Sequence, residues 1–183
     1  MPDLHPDLER MLISPEAIRR RVKELADQIS ADFRGNEPLY IVGILKGAFI
    51  FLADLTRELS LSHVVDFMAL SSYGRSTTSG AVRILMDLRE PIEGRPVLIV
   101  EDIVDTGHTL SYLQGILAGR NPASIHTCAL VEKERPGQEV QVDYLGFKIP
   151  DVWVVGYGLD YADSYRTLPY VAELKGRVYS KSG

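Results

Sequence analysis

The chain has 183 residues, 45% hydrophobic and 25% charged, which is the size and composition of one globular domain with a substantial core. A net charge of −5 and a pI near 5.4 argue against broad, sequence-independent nucleic-acid binding. A single cysteine, Cys128, excludes an intrachain disulfide and a cysteine-based metal site.

The first periodic segment follows Ser14-Pro15-Glu16, an N-cap, a first-turn proline and a first-turn acid. Ile18, Val22, Leu25 and Ile29 recur at helical spacing, so a helix is predicted from Pro15 to Phe33, stopped by Gly35-Asn36. The only basic run, Arg19-Arg20-Arg21, lies on this helix and reads as a solvated face. Leu39 to Ile44 is a short apolar strand and Ala48 to Leu59 a helix packed on the sheet. Val64 to Leu70 and Val82 to Met86 are strands separated by the small, polar segment Ser71 to Ala81. That segment reads equally as an idle surface loop or as a lid excluding water from a reactive intermediate.

After a turn at Pro91 to Pro96, Val97 to Val100 is an apolar run, as in a strand covered on both faces. A helix is predicted from Thr109 to Ala118, a buried strand from Ile125 to Val131, and shorter strands at Val142 to Phe147 and Val152 to Tyr157. Cys128 sits inside an apolar run and reads as a buried, inert thiol. The alternation of strands and helices implies a parallel α/β sheet. The apolar runs are too short to span a bilayer, and the polar N-terminus lacks a signal-peptide core. No membrane association and a reducing cytoplasm are the expectation.

The most informative stretch is Val97 to Thr109, an apolar strand followed by Glu101-Asp102, then Asp105-Thr106-Gly107 and a helix start. Ligands of open α/β sheets sit beyond the carboxyl ends of strands, which is where Glu101 and Asp102 fall. Gly107 lets the backbone approach a ligand, and the next helix aims its free N–H groups there. Acids for hydroxyls and amides for an anion suit a sugar phosphate. Lys46-Gly47, between a strand and a helix, is a plausible second anion loop. Lys133 ends another strand and can either donate to a ligand carbonyl or be solvated. Trp153 reads as either a core residue or a flat face for a purine. Gly156 and Gly158 are too little for a dinucleotide fingerprint, and the four histidines form no metal-binding pair.

Val97 to Thr109 resembles the phosphoribosyl pyrophosphate (PRPP) signature of the type I phosphoribosyltransferases. Leu45-Lys46-Gly47, Ser72-Tyr73, Lys133, Val154-Val155-Gly156-Tyr157, Asp160 and Arg166 follow the order seen in the hypoxanthine-guanine phosphoribosyltransferases, across about Leu39 to Val171. The resemblance implies a type I phosphoribosyltransferase fold over 1–183. It consists of a parallel-sheet core flanked by helices (about 15–141) and a small hood (about 142–168), leaving open whether the N-terminal segment joins the hood. It implies Mg²⁺-dependent transfer of a phosphoribosyl group from PRPP to hypoxanthine or guanine, giving IMP or GMP. A xanthine-preferring relative and a non-catalytic PRPP-sensing regulator are the alternatives.

By the same resemblance, Asp105 is the general base beside N7 of the purine. Glu101 and Asp102 hold the ribose hydroxyls and, with Asp160, Mg²⁺. Thr106, Gly107, His108 and Thr109 surround the 5′-phosphate, His108 through its backbone alone. Lys46 and Gly47 meet pyrophosphate in a loop that often has a cis peptide, and Arg166 is a further pyrophosphate contact. Ser72 and Tyr73 belong to the lid. Lys133 donates to the 6-oxo group, Trp153 stacks on the base, and Val154 offers a backbone contact. The implied partners are the small molecules PRPP and a 6-oxopurine, not nucleic acid, in a homodimer or homotetramer.

Overall fold

A computed structural model describes residues 4–35, 37–72, 82–136 and 140–180. Two sheets organise them. The larger has six strands in the order β4-β3-β2-β5-β6-β7, namely β2 (Leu39–Leu45), β3 (His63–Ser72), β4 (Val82–Met86), β5 (Pro96–Val104), β6 (Ser124–Lys133) and β7 (Tyr144–Ile149). All neighbours are parallel except β3 and β4, which pair antiparallel with Ser72 opposite Val82. The smaller sheet has the order β1-β9-β8, from β1 (Leu8–Ile13), β8 (Val154–Val155) and β9 (Val171–Leu174).

The helices form where side-chain spacing gives each an apolar stripe. Helix α1 (Pro15–Asp32) starts where Ser14 Oγ accepts from the Ala17 amide at 3.2 Å, and it buries Ile18, Val22, Leu25, Ala26 and Ile29. It packs with α2 (Phe49–Glu58) over Leu39, Ile41, Leu98 and Val100. Helix α3 (His108–Ala118) brings Leu110, Leu113 and Leu117 to the cluster that holds Tyr40, Val42, Val97 and Ile99. Successive strand side chains thus enter opposite cores, as the side-chain period of two requires. Cys128 lies in the first core, where burial pushes its thiol well above the ordinary range.

Strand order fixes where a ligand can sit. From β2 the chain passes through α2 to β3 on one side, whereas from β5 it passes through α3 to β6 on the other. The order reverses between β2 and β5, so a crevice opens at their carboxyl ends. The sequence places Lys46-Gly47 and Glu101-Asp102 at those two ends.

Several expectations need correction. β5, expected to end in the carboxylates, runs on past both acids to Val104, where it still pairs with Glu132 of β6. Tyr144–Ile149 joins the large sheet beside β6 rather than a hood at 142–168, and the small sheet recruits β1 from the N-terminal segment and β9 from beyond residue 168. The strand expected over Val152 to Tyr157 shrinks to Val154–Val155, since Gly156 (φ 99°) and Tyr157 (φ 51°) leave the extended region. β1, β9 and the short α4 (Gly176–Tyr179) were not expected. Of the segment suspected of being a lid, Ser71 and Ser72 extend β3, whereas residues 73–81, with Tyr73, lie outside the described residues. Among the described residues, no helix is long and apolar enough to cross a membrane.

Leu25 is fully buried between α1 and the sheet. Leu25→Ala should destabilise the fold by about 2–5 kcal/mol, read as a lower urea midpoint with an unchanged slope.

Candidate active site

A cavity of about 310 Å³ occupies the β2–β5 crevice, lined among others by Leu45, Gly47, Glu101, Asp102, Asp105, Thr106, Gly107 and Thr109. Its floor is the end of β5. Glu101 is only 6% exposed, and burial with the Asp102 charge beside it raises its carboxyl well above the ordinary range. Burial likewise pushes Asp102 up to about 6, against the pull of the Ile103 amide, which donates to Asp102 Oδ1 at 3.0 Å. Among the described residues neither acid has a salt-bridge partner, although the Arg166 charge lowers Asp102 and the Asp160 charge raises it.

The loop after β2 forms the facing wall. The Leu45–Lys46 peptide is cis. Gly47 lies so close to the acids that a β-carbon there would sit 1.6 Å from Asp102 Oδ2. Behind it, a β-carbon on Gly158 (φ 104°) would meet the Gly47 carbonyl oxygen at 2.0 Å. Glycine is therefore required at both positions by close approach, and at Gly158 by the backbone as well.

The loop after β5 closes the third side. Gly107, at φ 81°, is the N-cap of the eleven-residue α3, whose first amides open toward the cavity. Thr106, His108 and Thr109 are exposed, and Thr106 and Thr109 line the cavity whereas His108 does not. This arrangement provides an anion site at the helix N-terminus beside the buried acids.

A second group of residues extends from Asp105. Lys133, at the end of β6 and 9% exposed, places Nζ 3.7 Å from Asp105 Oδ1 and 3.4 Å from Asp151 Oδ1. Val154 is buried in β8, opposite Glu173 of β9. Trp153 is half exposed rather than a core residue, with Tyr161 edge-on at 5.8 Å and Tyr179 tilted at 5.5 Å.

A third group forms around Arg166. Its guanidinium donates to the Gly158 carbonyl at 2.8 Å and pairs with Asp160 at 2.8 Å and Asp163 at 3.1 Å. Asp163 also pairs with Lys46 at 2.9 Å, and the Asp163 amide donates to Asp160 Oδ2. Thus Lys46, far away in sequence, is joined through Asp163 to the Asp160–Arg166 pair.

Three residues of these groups escaped the sequence reading. Asp151 and Arg135 flank Lys133 in space, and Asp163 links two cations. Their only sequence signal is proximity to Trp153, Lys133 and Asp160. Ser72 ends β3, while Tyr73 lies outside the described residues.

Among the described residues, no group of three or more His, Cys, Asp or Glu side chains is arranged to hold a metal. Mg²⁺ does not need one, because it keeps waters and substrate phosphates and uses one or two protein carboxylates. The uncompensated acids Glu101 and Asp102, with Asp160 nearby, fit that limited demand.

Gly47→Ala should force the Asp102 carboxylate out of place. The expected result is a loss of turnover of about tenfold or more, since misplaced groups forfeit effective concentration. The same clash loosens the stacking of the β2 loop on β5, so the melting temperature should fall as well. Steady-state rates and a thermal melt on the same preparation check both.

Residues 11–162 match the phosphoribosyl transferase domain. A hypoxanthine-guanine phosphoribosyltransferase from Dictyostelium discoideum is 49% identical over 176 residues, covering 93% of this chain and 98% of that one. One from Bacillus subtilis is 46% identical over 175 residues, covering 94% and 97%. The structure of a hypoxanthine phosphoribosyltransferase from Trypanosoma cruzi in complex with the product IMP superposes with a TM-score of 0.90 at 44% identity, covering 97% of this chain and all of that one. The chain belongs to the phosphoribosyl transferase family, among its hypoxanthine-guanine phosphoribosyltransferases.

Proposed function

We propose that this chain transfers the phosphoribosyl group of PRPP to hypoxanthine or guanine, releasing pyrophosphate and forming IMP or GMP, with the following roles for its residues. The observation that carries the assignment is the pair of buried Glu101 and half-buried Asp102 at the β2–β5 crevice, followed closely by the amides of Asp105 to Thr109. The acids accept from the ribose hydroxyls. The amides at the start of α3, with the Thr106 and Thr109 hydroxyls, take the 5′-phosphate, and His108 contributes its backbone alone.

The C1′–oxygen bond to pyrophosphate breaks as a purine nitrogen attacks C1′, so positive charge builds on the ribose and negative charge on the leaving group. Lys46, the backbone at Gly47 and Arg166 face that leaving group and stabilise it. Lys46 now pairs with Asp163, both side chains being exposed, and exposed ion pairs are worth only about 0–1 kcal/mol. Pyrophosphate can therefore displace it easily. Glu101, Asp102 and Asp160 would hold Mg²⁺, which neutralises phosphate charge when bound. Ser72 and Tyr73 belong to the segment that would cover the site.

The purine lies against Lys133, Asp105 and the Trp153 ring, with Val154 offering a backbone contact at its edge. Asp105 takes the proton that the base loses as it attacks. Lys133 donates to the 6-oxo group, whereas a 6-amino group would leave two donors face to face, at about 1–3 kcal/mol for the unpaired one. We assign the cytoplasm, since one substrate, PRPP, is a phosphate ester of intermediary metabolism. We also assign a homodimer or homotetramer. In support, one related T. cruzi structure, 43% identical with a TM-score of 0.91, concerns the role of its C-terminal region in oligomeric state and enzymatic activity.

Initial rates with PRPP, Mg²⁺ and each base in turn test the assignment. Hypoxanthine and guanine should turn over, and adenine should not. Asp105→Asn should lower kcat by about 10²–10⁴-fold with little change in the KM for PRPP; unchanged turnover would refute the base role. Lys133→Met should raise the KM for the 6-oxopurine by roughly 5–150-fold, the equivalent of the unpaired-donor penalty, while PRPP binding holds. Equal losses for both substrates would point to a folding role instead.

A further inference from the structure

Arg135 belongs to no role given above, yet it lies against the residue assigned as the base. Its Nη2 is 2.9 Å from Asp105 Oδ1 and 2.7 Å from Asp151 Oδ1. The two contacts differ in kind. The one to Asp151 is a directed hydrogen bond. The one to Asp105 is off the hydrogen-bond direction, and Asp105 Oδ1, out of contact with solvent, has no hydrogen-bond partner among the described residues. Arg135 Nε is likewise buried and unpartnered there.

We infer that Arg135 is a positioning residue for the transfer reaction, anchored by Asp151 and holding the buried Oδ1 of Asp105 by charge, so that the carboxylate keeps its other oxygen turned to the cavity and free to accept. The inference rests on the reading of Asp105 as the base. The geometry supplies the reason. A directed hydrogen bond from the guanidinium would occupy a lone pair on Asp105 and leave a weaker acceptor for the purine proton. A charge held slightly off that direction fixes the carboxylate and keeps the lone pair available. Lys133 alone does this less well, because its Nζ is 3.7 Å away and is assigned to the 6-oxo group. Arg135 also joins two walls of the base site, since Asp105 follows β5 whereas Asp151 follows β7 and precedes Trp153 by two residues. An arginine suits the task because its planar fork is less free to reorient than an ammonium.

A double-mutant cycle on the full chain tests this, with Arg135→Met, Asp105→Asn and their combination, and Arg135→Lys as the conservative variant. Thermal melts establish that each is folded. Arg135→Met should lower kcat by about tenfold or more in the wild-type background and change the residual rate of Asp105→Asn by less than about twofold, because groups that act as a unit are not additive. Arg135→Lys should recover part of the loss, and Asp151→Asn should mimic Arg135→Met. If Arg135→Met leaves kcat within twofold of wild type, or lowers it equally in both backgrounds, the positioning role is overturned while the base assignment stands. If Asp105→Asn alone turns over normally, the base assignment falls and the inference falls with it.

Discussion

Two adjacent carboxylates near the end of an interior strand, Glu101 buried and Asp102 half-buried, with no salt-bridge partner among the described residues, are the constraint on which the site depends. Removing a charge from water costs several kcal/mol unless something compensates it. Here the compensation within the chain is slight, since Asp102 accepts from the Ile103 amide and feels the Arg166 charge at a distance. β5 lies between β2 and β6 with both faces covered by apolar cores, and that cover is what withdraws the acids from water. Such a site is incomplete without ligand. On the proposed reading, hydroxyls that donate to the acids and a divalent cation that neutralises them would supply what the chain withholds.

The backbone around those acids follows from the same constraint. Gly47 permits the β2 loop to touch Asp102, and Gly158 permits the segment leading from the small sheet to touch Gly47. The three layers, β5 acids, β2 loop and 156–166 segment, are thus stacked by contacts that any side chain at the two glycines would block. Arg166 fastens the outer layer by donating to the Gly158 carbonyl. Proximity of Lys46 and Arg166 to Glu101 and Asp102 is a property of this stacking rather than of either loop alone.

The sequence showed much of the central sheet because its signals are local. Val97 to Val100 is apolar without interruption, Ser14-Pro15 marks a helix start, and the acids sit at a strand's carboxyl end, so both their chemistry and their location were readable. The small sheet was not, because its strands are short and lack a sustained pattern. Glu9 and Arg10 interrupt β1, β8 has two residues, and β9 has four. Only pairing between β1 and β9, residues far apart in the chain, makes them strands. Arg135 and Asp163 were hidden for a related reason. Each lies in a charged or polar stretch that reads as solvated, and its partners, Asp105 and Asp151 for one and Lys46 for the other, are fixed by tertiary contacts. Trp153 was undecided in sequence because a lone indole fits a core as well as a ligand face, and its half-exposed position removes the core alternative.

The most direct test of the central claim is a crystal structure of the protein grown with IMP. The account predicts the ribose hydroxyls within hydrogen-bond reach of Glu101 and Asp102, with the phosphate oxygens on the amides between Asp105 and Thr109. A nucleotide bound elsewhere, with the acid pair and that loop left uncovered, would contradict it.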